Sequence, residues 1–153
     1  MSILELAIGC TPKAQPRIKA RVVQSRGGKA FAHIYTPSTA NAFKDEILLR
    51  TRAHPDFPPE PWTGPVRLDV EVFFERPQYM HHKKFPDGHI PHTAKPDRDN
   101  IDKAVMDALT ASGLFKDDAQ VCAGEITKWY VDRECQPGVR IKAQQIKEDS
   151  CSH

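Results

Sequence analysis

The chain has 153 residues, 39% of them hydrophobic and 27% charged, with a formal net charge of +2. That length suits one compact domain around a single core, and that balance excludes a globally disordered chain. No stretch approaches the roughly eighteen uninterrupted apolar residues of a membrane span, and Glu5 interrupts the apolar run that a secretory leader would need at MSILELAIGC. The expected location is the cytoplasm.

Ile3 to Gly9 alternates loosely and predicts a first strand, and Ile18 to Val23 a second, with the Pro12–Pro16 segment between them. QSRGGKA, residues 24–30, reads as a basic glycine-containing loop. TPSTANAFKDEILLRTRAHP predicts a helix capped by Ser38 or Thr36, with Ala42, Phe43, Ile47 and Leu48 on one face. Pro55 and PDFPPEPW end it. The clearest strand is PVRLDVEVFF, residues 65–74, where Val66, Leu68, Val70, Val72 and Phe74 alternate with Arg67, Asp69, Glu71 and Phe73. Residues 75–95 have no periodicity and read as a long polar loop carrying His81, His82, His89 and His92. This loop is expected to be exposed.

Residues 99–112 predict a second helix, with Ile101, Val105, Ala108 and Leu109 inward and Gly113 as its stop. Gln120–Val131 and Gly138–Ile146 predict two further strands. The fold expected is a single compact α+β domain over 1–147, with a mixed sheet and two main helices. Residues 148–153 are expected to be a frayed tail. Cys10, Cys122, Cys135 and Cys151 contain no close pair, which argues for free thiols over a zinc site or disulfide framework.

Charge is unevenly distributed. Through residue 30 there are six Lys or Arg against one acid, and from Asp97 to Asp118 six Asp against three basic residues. A basic arm with an acidic centre suits an enzyme that grips phosphates and holds a divalent cation; a solvated charged surface has the same composition.

The acidic segment is KPDRDNIDKAVMDALTASGLFKDDAQV, residues 95–121. Pro96 favours an extended approach, which puts Asp97 and Asp99 on one side of the backbone as hard oxygen ligands suited to magnesium. The helix from Asn100 is on the order of 17 Å long, and Ser112–Asp118 can cover about 20 Å. With Gly113 permitting a reversal, Asp118 can return to the helix start and complete a carboxylate cluster. Lys103, one turn after Asp99, can neutralise charge on a phosphate. Other roles suit the same residues. Lys103 pairs at i,i+4 with Asp99 and Asp107, Asp117 and Asp118 suit a turn, and Asp97, Asp99 or Asn100 can cap the helix. A calcium loop of the EF-hand kind is excluded, since Ile101, Asp102 and Ala108 fall where a ligand, a Gly and a closing Glu belong.

That segment resembles the RusA family of Holliday-junction resolvases, following its K-P-D-x-D-N-x-x-K…D-A-L…G…D-D-x-Q-V pattern nearly throughout. Weaker likeness extends to PKAQPRIKAR and GPVRLDVEVFFERP. The resemblance implies that Asp97, Asp99 and Asp118 bind magnesium, with manganese as a substitute, and support catalysis. It makes Lys103 the essential lysine and ranks Asp117 below Asp118. It further implies a homodimeric endonuclease, of a family often encoded by phages or prophages, that cuts two strands of a four-way junction symmetrically. Arg17, Lys19, Arg21, Arg26, Lys29, Lys83 and Lys84 are the candidate DNA contacts. The 75–95 loop departs from compact members, with DNA contact or a second metal as the functional alternative to an exposed polar role for its histidines. Two other functions stay open: a nuclease for forks or flaps, and a junction-binding protein without catalysis.

Overall fold

The computed structural model describes residues 2–12, 19–24, 30–35 and 41–147, with only the backbone described for the two middle segments. A mixed six-stranded sheet carries two helices in one α+β domain. Strand β1 is Ile3–Gly9, β4 Val66–Phe74, β5 Ile90–Pro91, β6 Val121–Ala123, β7 Ile126–Tyr130 and β8 Gly138–Gln145. Its order is β1-β8-β4-β7-β5, with β6 also paired to β4. Strands β1 and β4 flank β8 antiparallel, while β6 and β7 run parallel to β4.

Alternation builds the core as the sequence predicts. Val66, Leu68, Val70 and Val72 are buried on one side of β4, against Val139, Ile141 and Ala143 of β8 and Leu4, Leu6 and Ile8 of β1. Burying each large aliphatic side chain contributes on the order of 1.5–3 kcal/mol. Helix α1 (Asn41–Arg52) and helix α2 (Arg98–Ser112) close this face with Phe43, Ile47, Ile101, Val105 and Leu109. Gly113 ends α2 at φ 85°, with the Leu114 N–H donating to the Leu109 carbonyl at 3.3 Å. Arg52 of α1 donates to the carbonyls of Ala111 and Ser112 in the last turn of α2, tying one helix to the end of the other.

Outside the 75–95 segment, the sequence expectations are revised or narrowed at three places. Residues 19–24 and 30–35 form an antiparallel pair, β2 (Lys19–Gln24) and β3 (Ala30–Tyr35), of which β3 was not expected. The strand expected over Gln120–Val131 is split at Gly124, where φ is 135° and an added Cβ would lie 1.8 Å from the Leu68 carbonyl oxygen. Helix α2 begins at Arg98, so Asp97 rather than Asp99 or Asn100 occupies the capping position. Thr36 and Ser38, the expected caps of α1, and the tail 148–153 lie outside the described residues.

The 75–95 segment is organised around two arginines. Arg76 is buried, and its guanidinium donates to the carbonyls of Val131, Met80, Pro86 and Gly88. Arg133 pairs with Asp87 and donates to the His82 and Phe85 carbonyls at 2.8 Å. His81, His82 and His89 are exposed as expected, but His92 is buried. Among the described residues no three His, Cys, Asp or Glu gather as a metal site, histidines included.

Candidate active site

Asp97 and Asp99 sit at the start of α2, and the approach to them is fixed by β7. The His92 N–H donates to the Lys128 carbonyl at 3.0 Å. The Lys128 ammonium then donates to the carbonyls of Ala94 and Pro96 at 2.8 and 2.6 Å. Asp97 has extended backbone angles, and its carbonyl accepts from the Ile101 N–H. Its carboxylate accepts no capping bond from the helix and instead meets Lys95 at 3.2 Å, with the Asp97 side chain 48% exposed. An aspartate at this position ordinarily satisfies the first-turn N–H groups. Here those groups receive no bond from the Asp97 side chain, whose Oδ2 accepts from Lys95 instead. Asp99, in the first turn, is exposed.

Lys103 follows one turn later on the exposed side of α2. Neither i,i+4 pairing open to it forms: Asp107 instead lies 3.7 Å from Lys44 of α1. Among the described residues the Lys103 ammonium has no ion pair.

Asp118 does not return to the helix start. The Trp62 N–H donates to the Leu114 carbonyl at 2.8 Å, and Trp62 bridges to buried Phe115, which pins the chain just beyond the end of α2. Gln120 fixes the next turn. Its amide oxygen accepts from the Lys116 and Asp117 N–H groups, and its NH₂ donates to the Trp62 and Gly64 carbonyls, all at 2.9–3.0 Å. Asp117 caps this turn, accepting the Ala119 N–H at 2.9 Å. Asp118 therefore lies in a pocket with Lys44, Asp107, Thr110 and Asp117. Asp107 is eight residues beyond Asp99, about 12 Å along the axis at 1.5 Å per residue. The chain thus carries two acidic groups along one helix, Asp97 with Asp99 at its start and Asp118 with Asp117 and Asp107 further on.

In the second group the two neighbouring carboxyls are shifted in opposite directions. A hydrogen bond with Asp117, partial desolvation and the charges of Asp117 and Asp107 push the Asp118 carboxyl above its ordinary value. The Ala119 N–H and the hydrogen bond from Asp118 hold Asp117 below its own. Like charges this close disfavour joint ionisation, and an arriving cation would relieve that.

Of the candidate DNA contacts, Lys83 and Lys84 are exposed beside the Arg133-bound turn. Lys19 and Arg21 lie on β2, with their side chains undescribed, and Arg17, Arg26 and Lys29 fall outside the described residues. Sequence reasoning missed Lys128 and Gln120 as supports of the two acidic groups. Gln120 was legible as part of D-D-x-Q, whereas Lys128 carries no signal, since its acceptors are carbonyls 32 and 34 residues away.

Comparison with known proteins adds two findings. The family model described as endodeoxyribonuclease RusA matches residues 9–144. The chain is also 30% identical over 151 residues to the uncharacterized protein YqaN of Bacillus subtilis (strain 168), covering 95% of this chain and 99% of that one.

Proposed function

Because the chain belongs to the RusA endodeoxyribonuclease family of Holliday-junction resolvases, we propose that it is a magnesium-dependent enzyme that resolves four-way junctions by paired, symmetric cuts. The observation that carries this reading is the Asp97 carboxylate, which leaves the helix it begins uncapped and stands solvent-accessible one residue from exposed Asp99.

The donor chemistry fits the metal. Magnesium retains several waters and is commonly held by one or two carboxylates together with substrate phosphate, so Asp97 and Asp99 are a sufficient protein contribution. Asp118 is the third acid of the proposal, and the repulsion from Asp117 and Asp107 that raises its pKa is what a cation would relieve. When bound, the metal supplies a polarised phosphoryl oxygen and a more acidic water. Manganese, equally hard, would substitute.

The chain's own residues do the rest. Lys128 holds the Asp97 approach, Gln120 holds the Asp118 turn, and the Lys103 ammonium, without an ion pair among the described residues, meets the extra charge on the phosphate as water attacks phosphorus. One P–O bond forms and one breaks, with the departing oxygen taking a proton. A homodimer would present two such sites about a two-fold axis, matching the symmetry of the junction. Among the described residues no helix is long and apolar enough to cross a membrane.

The test offers the purified protein end-labelled four-way junctions, forks, flaps and linear duplex with magnesium, and measures its mass by light scattering. Paired junction cuts by a dimer are expected. Cleavage confined to forks or flaps, binding without cleavage, or paired cuts by a strict monomer would each overturn the corresponding part.

A further inference from the structure

Beside Asp97 lies an open cleft of about 710 Å³, lined by Pro12, Phe74, His92 and Tyr130 together with Asp97 and Asn100. Three of these form a contiguous aromatic group. The His92 ring stacks on Phe74 with centroids 4.1 Å apart and an interplanar angle of 25°, and meets Tyr130 at 4.5 Å and 51°. Phe74 ends β4, Tyr130 ends β7 and His92 follows β5, so adjacent strands of the sheet hold the group in place.

His92 is only 8% exposed, yet it lines the cleft. Burial and the nearby Lys128 charge lower its pKa and favour the neutral ring. Its Nδ1 is sealed from solvent with no hydrogen-bond partner among the described residues. A neutral imidazole carries one N–H and one bare acceptor. Burying the bare acceptor costs less than stranding the N–H, which assigns the proton to Nε2, the ring nitrogen that is not sealed in this way. Half-buried Tyr130 and Phe74 supply ring surface, and Asn100 supplies an amide.

We propose that this cleft receives an unstacked nucleobase of the strand being cut, the base next to the phosphate held at Asp97 and Asp99. The inference rests on the nuclease reading of those two acids and extends it to how the substrate is chosen. A base is flat, offers a π-face to Tyr130 or Phe74, and carries acceptors on its edge for His92 Nε2 and the Asn100 amide. The volume is within the range of small-molecule sites, about 300–1,000 Å³. A base inside a continuous duplex must first be unstacked, whereas one at a branch is already partly released, so the cleft favours branched over linear DNA.

The test places 5-iododeoxyuridine in turn at each nucleotide flanking the branch of a four-way junction and irradiates the complex without divalent metal. Adducts are expected at Tyr130, Phe74 or His92, lost in Tyr130→Ala and retained in Tyr130→Phe. Replacing the same nucleotide by an abasic residue should slow cleavage by the wild-type protein about 5- to 150-fold, the range set by base–aromatic stacking. That measurement needs no variant, so a misfolded Tyr130→Ala would not spoil it. Junctions bound and cut normally, with adducts elsewhere and no abasic effect, would overturn this proposal alone. A protein that neither binds nor cuts junctions would overturn the nuclease reading and this one with it.

Discussion

The Lys128 ammonium on β7 lies 2.6 Å from the carbonyl oxygen of Pro96, the residue immediately before Asp97. A second bond to Ala94 makes this lysine a clamp on the backbone that delivers Asp97 to the start of α2. Lys128→Met keeps the aliphatic stem and removes the charge-assisted bonds. Stability is expected to fall by about 1–3 kcal/mol, and junction cleavage by about tenfold to a hundredfold, the scale of a displaced reacting group. Junction affinity should change little. Unaltered cleavage in a folded variant would remove Lys128 from any positioning role.

Gln120 should behave similarly at the other acidic group. Gln120→Ala leaves two N–H groups and two carbonyls without their side-chain partner, at a cost of about 1–3 kcal/mol in urea unfolding. The opposite pKa shifts of Asp117 and Asp118 should be disturbed with the turn. NMR titration of the Asp118 carboxyl is expected to show its raised pKa moving back toward the ordinary value in the variant. An unmoved titration would mean that the turn holds without Gln120.

His92 gives a pH dependence of stability with a definite sign. Its folded pKa is lowered by burial and by Lys128, so below about pH 6.5 the unfolded chain binds a proton that the folded chain resists. The contribution of neutral His92 is present above that value and lost as pH falls through the folded pKa. His92→Phe, which retains the ring stack, should show a smaller difference in unfolding free energy between pH 7 and pH 5 than the wild type. An equal difference would show that His92 is not the group responsible.

Gly124 and Gly113 make a paired comparison. Both have positive φ, but only at Gly124 would a methyl group collide with backbone, at the Leu68 carbonyl. Gly113→Ala is expected to cost about 1 kcal/mol from conformation alone. Gly124→Ala should cost more, about 2 kcal/mol or above, because strand β4 must shift. Denaturant unfolding that ranks them the other way would contradict the contact.

What the sequence disclosed was governed by period. Val66 to Phe74 and Ile101 to Leu109 repeat at the spacings of a strand and a helix, and both formed where that spacing placed them. Gly124 was opaque, since nothing in QVCAGEITKWY indicates a positive φ or the closeness of Leu68. The reach calculation for Asp118 was permissive: the chain is long enough to return to Asp97, but Trp62, Leu114 and Phe115 pin it beyond the end of α2, and Asp118 shares a pocket with Asp107 and Thr110 instead. The buried position of His92 was hidden for a related reason, because Phe74 and Tyr130 are distant in sequence and meet it only across the sheet. Long-range contacts of these kinds leave no local pattern.

Most direct of all is a magnesium titration of cleavage on an end-labelled four-way junction, comparing wild type with Asp99→Asn and Asp118→Asn. Each variant keeps the side-chain shape and removes a charge. Wild-type protein is expected to make paired, symmetric cuts that require magnesium and stop on chelation. Both variants should cut at least about a hundredfold more slowly, since the metal supplies polarisation and an activated water that the protein alone does not. Wild-type cutting that survives chelation, or a variant that cuts at the wild-type rate, would contradict the assignment of these aspartates.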